Sequence, residues 1–129
     1  MMMLKINPTF SINDIPFGAD RKDVRKAFGE YKEFKKNKFS KNTADDFVRF
    51  HVFYTDDNKF DAIEIFDVIN DIEVYIHDKK LNEDINSVKE IFPDIIRDKS
   101  GYISINYCVG ITEENNKIES ILFASKGYY

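Results

Sequence analysis

Two stretches of this chain repeat one design. VFYTDDNKFDAIEIF runs from Val52 to Phe66, and VGITEENNKIESILF runs from Val109 to Phe123. Each is an apolar run, an acidic pair, an Asn-bearing turn and a second apolar run. Asn and Asp tolerate the backbone of tight turns, and alternating apolar residues on either side suit strands with one buried face. A lone hairpin is marginal in water, so a chain with two must join them or cover each one.

A helix signal precedes each hairpin. DRKDVRKAF, Asp20 to Phe28, opens on a residue able to cap the first turn; Val24, Ala27, Phe28 and Tyr31 fall at the spacing of one apolar stripe, and Gly29 is a natural stop. DINSVKEIF, Asp84 to Phe92, lies 64 residues on; Ile85, Val88 and Phe92 repeat the stripe and Pro93 ends it. Strand patterns follow both helices. Tyr31–Phe39 alternates weakly and Phe47–Tyr54 strongly; Ala62–Phe66 and Ile72–His77 come next. The second half offers Ile95–Arg97, Tyr102–Val109 and Ile118–Ala124. The expected fold is α+β: one antiparallel sheet of about six to seven strands with two helices on one face. Helix-β-β-β units would form a pseudo-repeat, roughly 15–78 and 79–129, within a single domain.

Composition agrees with one compact domain. A chain of 129 residues buries roughly two-thirds of its unfolded surface, so it needs no disulfide or metal to fold. Cys108 is the only cysteine, which excludes an intrachain disulfide and a Cys metal site. The opening MMMLKINPTF lacks the pattern of a signal peptide, and no run reaches the length of a membrane span, so a cytoplasmic location is expected. Net charge is −4, unevenly placed: residues 1–41 carry +5 and residues 42–129 carry −9. The acidic part repels nucleic acid and favours a basic partner.

The helix opening on D-x-x-x-V-[RK]-x-x-F, entered through Phe17–Gly18 and followed by meandering strands, resembles the helix-plus-sheet module of beta-lactamase inhibitor protein and of the SmpA/OmlA outer-membrane assembly lipoproteins. The likeness covers Ile15–Phe66 and, more faintly, Asp84–Phe123. It implies a concave sheet that grips a protein. Unlike both families, MMMLKINPTF shows no secretion-signal or lipobox pattern and Cys108 stands alone, so an extracellular or envelope role is not expected. FGADRKDVRKAFGEYKEFKKNKF also resembles small bacterial immunity-type proteins of polymorphic or contact-dependent toxin systems. That resemblance implies a non-catalytic cytoplasmic inhibitor whose partner is a cognate toxin domain; acidic inhibitors suit nucleases.

Strand alternation assigns an outward set: Phe47, Arg49, His51, Phe53, Glu64, Phe66, Glu73, Tyr75 and His77, opposite Val48, Phe50, Val52 and Tyr54 as core. Aromatics and Arg on an outward face match protein interfaces better than a solvated surface, although a loop such as Lys35–Asp46 could cover some of them. The expected partner-binding residues are Arg49, His51, Phe53, Glu64, Glu73 and Tyr75, with Asp45, Asp46, Asp61 and Glu119 as a charged rim. The same face could instead form a homodimer interface.

The alternatives are an uncharacterised hydrolase or ligand- or metal-binding domain using the His51/His77 region, or a nucleic-acid binder using Lys32–Lys41; these are weaker, and no catalytic residue or cofactor is expected. His51 and His77 with Glu64 and Glu73 supply zinc-type ligands, but nothing in the spacing makes them meet, so no metal site is expected. Asp56–Asp57 and Glu113–Glu114 sit at hairpin tips, where solvated carboxyls keep ordinary acidity. Cys108 in YCVGI reads as a buried, inert thiol. The run Lys32–Lys41 could touch phosphates, but it has no Arg for base readout in an otherwise acidic chain, so no nucleic-acid partner is expected.

Overall fold

The computed structural model describes residues 2–66 and 72–129. In chain order the elements are β1 (Met2–Asn7), β2 (Ser11–Ile12), β3 (Ile15–Pro16), α1 (Arg21–Phe28), β4 (Lys32–Phe34), β5 (Ala44–Asp46), β6 (Phe50–Tyr54), β7 (Phe60–Phe66), β8 (Ile72–Ile76), β9 (Lys79–Lys80), α2 (Ile85–Ile91), β10 (Ile96–Asp98), β11 (Gly101–Ser104), β12 (Val109–Glu114) and β13 (Lys117–Ala124). The fold is α+β, as expected, but with two sheets instead of one. An eight-stranded antiparallel sheet runs β10-β11-β12-β13-β7-β6-β5-β4, and a five-stranded mixed sheet runs β3-β2-β1-β8-β9.

The second sheet exists because β1 alternates like a strand. Leu4 and Ile6 are buried while their neighbours are exposed. β1 pairs in parallel with β8, from Met2 opposite Ile72 to Ile6 opposite Ile76. This pairing takes β8 away from the main sheet, where the spacing had placed it. It also leaves His77 outside the strand: His77 and Asp78 form a two-residue turn with φ of 49° and 66°.

Both expected hairpins form. The β12–β13 turn is Asn115–Asn116, with φ of 54° and 64°, the twist-matched geometry that Asn supplies. The β6–β7 loop, Thr55–Lys59, places Asn58 at φ 59°. The hairpins meet along β7 and β13, which pair antiparallel from Ala62 opposite Ala124 to Phe66 opposite Ser120. Each hairpin tip also receives the start of its helix through the same backbone bonds. Arg21 N–H donates to the Asn58 carbonyl and Phe60 N–H to that of Ala19; Ile85 N–H donates to Asn116 and Ile118 N–H to Glu83. The two helix entries differ in their side chains. Asp84 caps α2 by accepting from Asn86 N–H at 2.9 Å. Asp20 makes no such bond and pairs with Lys59 instead.

One core lies between the eight-stranded sheet and the layer made by both helices and the small sheet. Ile63, Ile65, Ile121 and Phe123 project into it from the seam, meeting Val24, Val88, Leu4 and Val74. On α1 the inward face is Arg21, Val24 and Phe28; Ala27 and Tyr31 of the expected stripe are exposed. The inward and outward assignments of Phe47 and Val48 are reversed. Phe47 is buried against Phe28 and Phe50. Val48 is 79% exposed at φ 80°. Residues 47–50 close a turn, with Phe47 N–H donating to the Phe50 carbonyl, and this resets the alternation before β6 begins. The Tyr31–Phe39 pattern yields only the short β4, and Tyr102–Val109 splits into β11, a turn and β12.

Phe123 is 1% exposed at the seam, whereas Phe39 is 81% exposed. Phe123→Ala should cost about 3–5 kcal/mol of unfolding free energy in urea titrations. Phe39→Ala should change it by less than about 0.5 kcal/mol.

Candidate functional site

The helices and the small sheet cover one face of the eight-stranded sheet and leave the other facing outward. Cross-strand registers define what that outer face carries. One row runs Asp46, His51, Glu64, Leu122, Gly110 and Ile103 across β5, β6, β7, β13, β12 and β11. A parallel row holds Phe34, Ala44, Phe53, Ala62 and Ala124. Aromatic residues therefore occupy one end and small residues the middle. His51 lies between two phenylalanines, 4.7 Å from Phe34 and 4.9 Å from Phe66 between ring centroids. Its Nε2 is 3.6 Å from Asp46. The Lys36 ammonium sits 4.6 Å from the centroid of Phe53.

Ser125–Tyr129 folds back over the middle of this face. Ser125 Oγ donates to Asp61 at 2.6 Å, and Tyr128 N–H closes a turn on the Ser125 carbonyl with Gly127 at φ 83°. A Cβ on Gly110 would stand 2.2 Å from the Tyr129 hydroxyl, so only glycine leaves room for that ring. Burial and the carboxylates of Asp61 and Glu64 push the Tyr128 phenol up. The Tyr129 phenol is pushed up to about 12, by burial first and then by Tyr128, Cys108, Glu64 and Asp98. Glu64 accepts from Ser120 Oγ at 3.4 Å, and no cation among the described residues pairs with it. The sequence did not single out Tyr128 or Tyr129; the only signal was a Gly followed by two aromatics.

Of the expected partner-binding residues, His51, Phe53, Glu64, Asp46 and Asp61 come together here. Arg49 adjoins them, opposite Phe66 at the start of β6. Glu73 and Tyr75 do not join, because β8 belongs to the five-stranded sheet; there the Tyr75 hydroxyl donates to Glu73 at 3.3 Å. His77 lies in the turn between β8 and β9, at the five-stranded sheet, which separates it from His51, and no group of three metal-ligating side chains occurs among the described residues. Glu119 is exposed on β13.

Asp45 is a correction. Alternation along β5 turns it away from Asp46, so instead of lying on a rim it is fully buried under α1. Arg21 reaches it with Nη2 at 2.8 Å, Arg25 donates through Nε at 2.8 Å and Nη2 at 2.9 Å, and the Tyr54 hydroxyl donates at 2.8 Å. Glu33, across β4, accepts from Arg25 at 2.8 Å and balances the charge. Arg21 also stacks 4.2 Å from the Tyr54 centroid. Burial alone would raise the Asp45 carboxyl, but the donors from Arg25, Arg21 and Tyr54 outweigh it and hold the group down at about 2 against an ordinary 3.8. Burial first, then donation to Asp45, pushes the Tyr54 phenol up. This cluster anchors α1 to the back of the strands that carry His51 and Phe53.

Comparison with known proteins found no match to a family model, to a curated protein or to a solved structure. No helix among the described residues is long and apolar enough to cross a membrane.

Asp45→Asn should cost about 3–5 kcal/mol, because it leaves two guanidinium groups without their shared buried carboxylate. In the native protein the lowered carboxyl pKa makes this contribution to stability complete above the ordinary 3.8 and lost as pH falls toward about 2. The loss from this one group is about 2 kcal/mol. Acid titration of the circular-dichroism signal should show that component in the parent protein and not in Asp45→Asn.

Proposed function

We propose that this chain is a non-catalytic protein-binding protein, an immunity-type inhibitor that neutralises a cognate bacterial toxin domain by covering its active site. The observation that carries the reading is the outer face of the eight-stranded sheet. It is left open by the helices, lined by Phe34, His51, Phe53 and Phe66, and interspersed with the carboxylates of Asp46, Asp61 and Glu64. Aromatic anchors ringed by polar groups are the composition of protein interfaces, and rigid strands hold them without a large ordering cost. A partner with a basic cleft, such as a nuclease, would be steered to these carboxylates. The inhibitor would act in the cytoplasm, before the toxin meets its target.

The test is co-expression with a toxin-type domain taken from the genes flanking this chain's own, followed by calorimetry on the purified pair. Phe53→Ala and Glu64→Lys should each weaken association by about 30-fold or more, the cost of losing an interface anchor. Glu73→Lys, a half-buried position on the other sheet, should leave it within about threefold, as expected of a charge outside the contact. A toxin that stays fully active and unbound beside an equal amount of the chain would refute the reading.

A further inference from the structure

Where the lysine-bearing loop meets the outer face there is a hollow of about 290 Å³. Phe53, Asp56, Asp61 and Tyr128 line it together with Lys36. That volume is at the small end for a ligand pocket but ample for one side chain. The hollow already holds a cation of the chain's own: the Lys36 ammonium, 4.6 Å from the Phe53 centroid.

The cation is loosely supplied and the anions are unmatched. Residues Lys35 to Phe39 are all exposed, and the loop is closed by local bonds, Ser40 N–H to the Asn37 carbonyl and Phe39 N–H to the Asn37 side chain. Lys36 makes no ion pair among the described residues, and neither Asp56 nor Asp61 has a cationic partner among them. Asp61 is oriented by Ser125, whose Oγ donates to it at 2.6 Å. The pocket thus offers a ring face and a positioned carboxylate, and Lys36 uses only the ring. A guanidinium can use both at once, lying flat on the ring while its fork of N–H donors reaches the carboxylate.

We propose that this pocket receives an arginine side chain of the bound partner protein, its guanidinium displacing Lys36 from the face of Phe53 and pairing with Asp61. The inference rests on the outer face being a protein-binding surface, and it makes Lys36 a placeholder that competes with the partner.

N-acetylarginine amide is the probe, titrated while the ring resonances of Phe53 and Tyr128 are followed by NMR. Saturable shifts are expected at both rings. Lys36→Ala should bind the probe about threefold more tightly or better, Asp61→Asn about threefold more weakly, and Lys38→Ala as the parent does, the scale of one exposed cation–π or ion-pair contact. The citrulline analogue, with the same shape and no charge, should give no saturable shift. Shifts centred on Glu113–Glu114, an unchanged affinity in Lys36→Ala, or equal binding of citrulline would overturn the proposal. So would inorganic phosphate saturating the same resonances through Lys36, which would mark an anion pocket. Should the toxin domain bind while the arginine probe does not, the inference falls alone; should the probe bind and the toxin domain not, the protein-binding reading falls.

Discussion

The antiparallel seam between β7 and β13 is the constraint on which the rest of the fold depends. It fuses two hairpins, each too small to stay folded, into one continuous sheet. On its inner side, Ile63, Ile65, Ile121 and Phe123 lie together as a slab of aliphatic and aromatic surface. Burying side chains of that size contributes about 1.5–3 kcal/mol each. The slab must be covered, and α1, α2 and the five-stranded sheet cover it. Because they all gather on that side, the opposite side of the seam faces outward, with Ala62, Ala124, Glu64 and Leu122 along its centre.

The two halves share a backbone plan but differ in their polar interior. Asp45 stands opposite Val52 on β5, and Ser104 stands opposite Val109 on β11, the corresponding place in the second hairpin unit. In the first half that place holds a carboxylate shared by two arginines and a tyrosine. In the second it holds a hydroxyl that donates to Asp94 at 2.8 Å. Asp45 stays ionised under α1 only because its donors are already in place, so α1 and β5 are bound by a geometry that a hydrophobic contact would not specify. The strands bearing His51 and Phe53 are therefore braced from behind, as a face that binds without rearranging needs to be.

Local pattern made the hairpins and helices legible, because both depend on short-range spacing. The turn residues, the Val88 and Phe92 stripe, and the alternation along β6 and β7 could all be read directly from the chain. Three features could not. The β1–β8 pairing is a long-range choice, and nothing near MMLKIN announces its partner. The Phe47–Phe50 turn resets the inward and outward phase through a single left-handed residue, Val48, a type that pattern reading never places there. Asp45 looked like a rim residue because Asp-Asp pairs usually face water; its burial depends on Arg21 and Arg25, twenty or more residues away, turning inward from α1. Of the candidate face, His51, Phe53 and Glu64 followed from alternation. Glu73 and Tyr75 were misplaced together with their strand, and the tyrosines of the fold-back segment had no periodic signal to reveal them.

The parallel partnership of β1 with β8 also bears on how the chain reaches its native state. Met2 must meet Ile72 across seventy positions of sequence, whereas each hairpin closes over a handful. Joining distant ends loses chain entropy before any contact offsets it, and pairings of that kind slow the search for the native arrangement. The two hairpins close over short loops and stabilise each other along β7 and β13, so their pairing costs far less chain entropy than docking the amino-terminal strand. Until it docks, Val74 and Ile76 on β8 lack the neighbour that shields them, and the half-assembled chain carries an open, apolar edge during that interval.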